Sequence, residues 1–345
     1  MKLAASAALL AGILSSHGRT EVAPSPPSRW VLVYMGGPRR GQYSVDNLEH
    51  LIAVIDPSDR AVGPLFDGVI LTEFQAVSGR YFMPWTNGEP SHGSDWEQYL
   101  DSLSSAAGPL SRLDSAAGLL NRATGAGHKI SIVVMVPYPD VKSGAQSFRG
   151  RSFDLSRDSD RVAVVTAYLH EVVQRVQSQR LSNLSFYGFY WLNEGITPTD
   201  SIVVSRVIAA AHAVELHFLW IPSYGAAGAE SWRSFGFDQA WLQPNYFFHP
   251  DQVPRARLDT AVAKARAAKM GLEIEFDSRL VSDERFSNRL EPYLTTLENA
   301  PDLRDRSIAV YEGGGALFRL ARSSVDWQRA LYNKLVTLLT SASHS

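Results

Sequence analysis

Asn193 and Glu194 close one of the most aromatic runs in the chain, Phe186-Tyr187-Gly188-Phe189-Tyr190-Trp191-Leu192. Glu275 lies near the end of a second apolar run, Leu272-Glu273-Ile274-Glu275-Phe276-Asp277. Two carboxyl groups that end separate buried runs can face each other across one site. A carboxyl pair is what hydrolysis of a glycosidic bond needs, one to protonate the leaving oxygen and one to act as nucleophile or as base toward water. Other apolar runs end in side chains suited to holding a sugar: Glu73 and Tyr138 early in the chain, Trp220 and Tyr224, then Gln243, Asn245 and Tyr246, and finally Asp277 and Glu312. Aromatic faces cover the C–H faces of sugar rings, and amides and carboxylates fix hydroxyls in direction. The plainer reading of Glu194 is a cap on the next helix, since acidic residues favour a helix N-terminus. Capping accounts for one or two such residues, but not for Trp, Tyr and Gln at equivalent positions.

The rest of the composition narrows the chemistry. The 345 residues include no cysteine, which removes thiol nucleophiles, disulfides and Cys-ligated zinc. The nine histidines form no His-x-His or His-x-x-x-His pair, so no metal is expected. No Gly-x-Ser-x-Gly elbow and no Gly-x-x-x-x-Gly-Lys loop is present, and no cofactor is expected. A net charge of −2 gives no reason to expect a nucleic-acid partner.

At the N-terminus, Lys2 precedes an apolar stretch from Leu3 to Leu14 that reads as a signal peptide, too short to span a bilayer as an anchor. The expected location is therefore secreted or periplasmic. A Pro-rich linker, Ala23-Pro-Ser-Pro-Pro-Ser28, completes a leader over 1–28 and leaves 29–345 as the folded domain.

The elements that must position these residues alternate regularly. Strands are expected at 30–35, 66–74, 129–138, 186–192, 216–222, 238–246, 272–277 and 307–312. Helical segments fall between and after them at 46–55, 96–124 (broken at Gly108-Pro109), 158–180, 200–214, 258–270, 283–299 and 324–340. An insertion over 75–94 carries Tyr81, Phe82, Trp85 and His92 and is expected to wall one side of a cleft. Eight uninterrupted βα units predict an α/β protein with a single-domain (β/α)8 TIM barrel. The alternative is a doubly wound open sheet, for which Gly36-Gly37-Pro38 is a poor phosphate loop because Pro38 lacks an N–H. In a barrel, sites are built at the strand C-termini, where the residues above collect. Strand alternation puts Glu273, Glu275 and Asp277 on one face. Glu273, the deepest, is expected to pair with a Lys or Arg of a neighbouring strand. Tyr190, Trp191 and Trp220 are expected to desolvate Glu194 and raise its pKa.

Asn-Glu ending the fourth strand, with Glu ending the seventh, resembles the large clan of retaining (β/α)8 glycosidases. That resemblance implies Glu194 as acid/base, Asn193 as ligand of the sugar 2-hydroxyl, Glu275 as nucleophile and Tyr246 as the tyrosine that bonds it. No aromatic platform is evident at the end of the eighth strand, where Glu312-Gly-Gly-Gly stands, so Asp277 and Glu312 compete with Glu275. Over most of the chain from about Arg29, the segments at 188–194, 220–228, 236–248 and 271–277 resemble the bacterial domain-of-unknown-function family 4855, which implies a glycosidase-like barrel without a settled activity. A non-catalytic carbohydrate-binding barrel and a structural protein remain the alternative readings.

Overall fold

Eight of the apolar runs are strands, and each is buried on both faces, as a parallel sheet wrapped in helices requires. A computed structural model describes residues 26–35, 37, 43–84 and 87–341. The strands are β1 (Arg29–Tyr34), β2 (Gly68–Thr72), β3 (Ile130–Val136), β4 (Leu184–Trp191), β5 (His217–Trp220), β6 (Gln239–Leu242), β7 (Gly271–Asp277) and β8 (Ile308–Gly313). All neighbours pair in parallel, and β1 pairs with both β2 and β8, so the sheet closes on itself. The fold is a single-domain (β/α)8 barrel, and closure excludes the doubly wound sheet, which has two free edges. No described helix is long and apolar enough to cross a membrane. The predicted leader lies outside the described residues apart from 26–28. Pro27 and Ser28 belong to the folded unit, because the Ser28 carbonyl accepts from the Ile308 N–H at 2.8 Å.

The lower end of the barrel is filled. The rings of Trp30 and Trp241 meet at 6.3 Å and those of Trp30 and Tyr187 at 5.5 Å, although these residues come from strands that are not neighbours. Glycines make the room: a Cβ on Gly68 would lie 2.3 Å from the Trp30 ring, and one on Gly271 2.3 Å from the Trp241 ring. Trp30 Nε1 donates to Gln239 Oε1 at 2.8 Å, and Trp241 Nε1 donates to Ser307 Oγ at 3.0 Å. The floor is thus neutral and hydrogen-bonded.

Tyr187 is the extra residue of a bulge, since Ile132 pairs with Phe186 while Val133 pairs with Gly188. Gly188 adopts φ +152°, and a Cβ there would lie 2.0 Å from the His217 carbonyl oxygen. The bulge resets the alternation of β4, so that Tyr190 faces the open end of the barrel.

Three segments differ from the expected elements. The first helix stops at Ile52, and β-branched Val54 and Ile55 enter a hairpin, Ala53–Ile55 with Ala61–Pro64. A second hairpin, Ala145–Phe148 with Arg151–Asp154, precedes the long helix Asp158–Ser178. The helix expected over 283–299 is divided into Glu284–Ser287 and Glu291–Glu298, the second starting where Pro292 can only occupy a first turn.

Candidate functional site

The upper end of the barrel, at the strand C-termini, holds a cavity of about 250 Å³. Two larger hollows, about 580 and 320 Å³, are lined mainly by helix and loop residues and take in none of Glu194, Glu273 or Glu275. The site is therefore placed by its chemistry rather than by size. Leu32, Tyr190, Ile221 and Gln243 line it, and Glu194 and Glu273 are its carboxyls.

Glu194 does not cap a helix. The following helix, Pro198–His212, starts from Thr197, and the chain between Trp191 and Thr197 carries Glu194 over the mouth. Burial pushes its carboxyl up to about 7, and a hydrogen bond from Ser223 pulls the other way. Of the aromatic neighbours expected to desolvate it, Tyr190 shares its cavity. Trp191 and Trp220 face the helices instead: Trp220 is wholly buried, stacks on Phe237 at 5.1 Å and donates through Nε1 to the Asn193 carbonyl at 2.8 Å. Asn193 spends its own amide on the Gly195 carbonyl, at 2.8 Å. Together Asn193 and Trp220 fix the loop that carries Glu194.

Glu275 is 0% exposed and carries three donors: Tyr293 Oη at 2.5 Å, Gln243 Nε2 at 3.1 Å and the Tyr246 N–H at 3.3 Å. Burial raises its pKa and the Glu194 charge raises it further, while those donors lower it. The tyrosine that bonds Glu275 through its phenol is Tyr293, from the helix Glu291–Glu298. Tyr246 supplies only its backbone N–H, and its ring lies 3.5 Å beneath the Arg289 guanidinium. Glu273 faces the cavity at 2% exposure. The expected Lys or Arg partner is not found among the described residues. Burial, then Glu275, then Glu194 hold its pKa well above the usual carboxyl range.

The remaining rim residues divide. Glu312 pairs in register with Phe276, on the opposite face of the sheet from the cavity-lining Tyr311. It points toward the helices, where it accepts from Tyr43 Oη at 2.6 Å and from the Leu317 N–H at 3.1 Å. Glu312 is a structural carboxylate and does not compete with Glu275. Asp277 is held by Arg279 at 2.6 Å. Glu73 accepts from the Phe74 N–H at 2.9 Å and does not line the cavity. Tyr138 donates to Asp200 at 3.0 Å, beside the Arg161–Asp200 ion pair. Tyr224 lies between Arg257 and Lys264, 3.9 and 4.3 Å from its ring centre. Asn245, at φ +51°, accepts the Tyr224 N–H at 3.0 Å. These last three brace loops rather than reach into the cavity.

Sequence reasoning missed the aromatic wall. Tyr34, Phe74, Tyr311 and Phe248 line the cavity, linked edge to face with ring centres 5.4 Å (Tyr34–Phe74), 5.6 Å (Tyr34–Tyr311) and 5.6 Å (Phe248–Tyr311) apart. Tyr311 puts an aromatic ring on the eighth strand, where the sequence made none evident. By the strand order Tyr34 and Tyr311, on β1 and β8, stand across the barrel from Glu194, which follows β4. The period-2 alternation of β1 and β8 was the available signal for Tyr34 and Tyr311. Met83 extends the wall, so the insertion does border the cleft, though Trp85 lies outside the described residues.

A family model described as Domain of unknown function (DUF4855) matches residues 29–337. The comparison with curated proteins finds no match. Among solved structures, a mutant tryptophan synthase alpha-subunit from the hyperthermophile Pyrococcus furiosus is 9% identical, covering 91% of this chain and 98% of that one at a TM-score of 0.41. A ligand-free form of tryptophan synthase from M. tuberculosis is 10% identical, covering 90% and 92% at a TM-score of 0.39.

Proposed function

The chain belongs to the family described as Domain of unknown function (DUF4855), and from the residues at its mouth we propose that it is a glycoside hydrolase acting with retention on a poly- or oligosaccharide. Glu194 is the acid/base and Glu275 the nucleophile. The observation that carries the reading is an aromatic wall together with two carboxyls of raised pKa, Glu194 raised by burial and Glu275 by burial and by the Glu194 charge. A carboxyl that burial keeps protonated can act as the acid, while one held by three donors can ionise and act as the nucleophile. In the first step the Glu194 proton passes to the glycosidic oxygen as the C–O bond breaks, and a Glu275 oxygen bonds the anomeric carbon. In the second, water attacks that carbon, its proton returns to Glu194, and Glu275 leaves as carboxylate. Tyr293, Gln243 and the Tyr246 N–H hold Glu275 in one orientation throughout. Gln243 also lines the cavity and is placed to meet a sugar hydroxyl.

Release of reducing ends from a polysaccharide panel tests this. Glu194→Gln should lower kcat/KM by about 10²–10⁴-fold with the fold intact, and undiminished turnover would remove Glu194 from the mechanism. One observation favours a second reading, a non-catalytic carbohydrate-binding barrel: Glu275 is wholly buried beneath its donors. Glycan binding by the wild type with no product from any glycan would decide for it.

A further inference from the structure

Neither the proposed reaction nor the packing employs Glu273. Only 2% of the residue is exposed, and it faces the cavity. No described residue donates a hydrogen bond to it or pairs with it as a cation, and the charges it feels are those of Glu275 and Glu194. Among the described residues that line the cavity none is Lys, Arg or His. A carboxyl kept this far from water without a partner is costly, and a second and third carboxyl nearby add to the cost. The described residues form no cluster that could hold a metal ion, and a cationic ligand would supply the positive charge that the described lining of the cavity lacks.

We propose that the cavity recognises a sugar ring bearing a free amino group, an unacetylated hexosamine, and that Glu273 is the carboxyl that receives its ammonium. The inference rests on the carbohydrate part of the function proposed above and not on turnover. A neutral sugar would offer Glu273 hydroxyl donors but no charge to favour its ionised form beside Glu194 and Glu275. An ammonium answers both, through charge-assisted hydrogen bonds about twice as strong as neutral ones. Tyr311 and Tyr34, on the next two strands round the barrel from that of Glu273, present aromatic surface in the same cavity, where a cation is also attracted to a ring. The volume, about 250 Å³, is below that of pockets enclosing drug-sized ligands and suits a single ring. Entry of the ammonium ionises Glu273, so binding should release a proton to solvent.

The test uses the full chain and oligomers of glucosamine and of galactosamine, each with and without N-acetylation. Calorimetry in two buffers of different ionisation enthalpy reads affinity and proton release together. The unacetylated oligomers should bind about ten-fold or more tightly than the acetylated ones, with proton release, and Glu273→Gln should erase that ratio. Equal or tighter binding of acetylated or neutral oligomers to the wild type would overturn the inference without recourse to any variant. So would a preference that survives Glu273→Gln. Glu194-dependent hydrolysis of a neutral glycan with no preference for the amine would sink the inference and leave hydrolysis standing. Glu273-dependent binding of the amine with no product from any glycan would do the reverse.

Discussion

The two ends of the barrel interior solve burial in opposite ways. At the floor, Trp30, Trp241, Gln239 and Ser307 satisfy one another with neutral hydrogen bonds, and Gly68 and Gly271 give up their side chains to let the indoles pack. At the mouth, Glu194, Glu273 and Glu275 share a confined space in which they repel one another. The floor spends sequence on stability, while the mouth holds an arrangement that costs stability. In a (β/α)8 barrel that is the division expected between the N-terminal and C-terminal faces. Strand phase separates two glutamates one residue apart in register: Glu275 pairs with the cavity-lining Tyr311, while Glu312 pairs with Phe276 and turns toward the helices.

The largest effect expected from breaking the floor is loss of stability without loss of chemistry. Trp241→Ala should cost about 3–5 kcal/mol, the range for emptying a buried aromatic site, measured by denaturant unfolding. Trp30, Trp241, Gln239 and Ser307 carry no group that titrates near neutrality, and burial holds the Tyr187 phenol up at about 12. The cost should therefore be the same at about pH 5 and about pH 8. A penalty that changes with pH would mean that floor and mouth are coupled, and the contrast drawn above would fail.

The mouth should show the opposite behaviour. Glu194 is held at about 7 in the folded chain against an ordinary 4.5, so between those values the folded state keeps a proton that the unfolded state has lost. Stability from this group is thus highest at low pH and falls as pH rises from about 4.5 to about 7, by up to about 3 kcal/mol. Glu194→Gln removes that slope. The stability difference between variant and wild type should grow in the variant's favour across this interval and then level off. A flat difference would show that Glu194 is ionised throughout and is no reservoir of a proton at neutral pH.

The barrel was legible in the sequence because eight apolar runs, each ended by a polar break, leave few other ways to bury them. Glu194 was legible because an aromatic strand that ends in Asn-Glu exposes its carboxylate wherever strand ends converge. The roles of Trp220, Tyr138 and Tyr224 were not legible. Whether a rim aromatic faces the cavity or the helices depends on strand phase, and the bulge at Tyr187 shifts that phase by one residue in β4. Pairing in register then puts Trp220 beside Trp191, turned away from Tyr190. Glu312 was misread for the same reason, since alternation places Tyr311 and not its neighbour at the cavity. Tyr293 carried no local signal at all, because its contact with Glu275 spans 18 residues and depends on where one short helix docks.

Tyr293→Phe is the finest test of how the mouth is held. The ring packs with Tyr246 at 5.6 Å between centres, and phenylalanine preserves that contact while removing the hydroxyl 2.5 Å from Glu275. The hydroxyl stabilises the ionised carboxyl, so its loss should raise the Glu275 pKa by about one unit, equivalent to about 1.4 kcal/mol. As nucleophile Glu275 must be ionised. The acidic limb of the kcat/KM profile should therefore move to higher pH, with about a ten-fold loss below it and little change on the plateau. NMR titration of the Glu275 carboxyl gives the same shift without any substrate. If Tyr293 only fills space, the titration will not move and any loss of rate will be uniform in pH. If the carboxyl shifts and the rate profile does not, Glu275 is buried structure like Glu312, and the nucleophile must be sought in Glu273, the carboxyl that already faces the cavity.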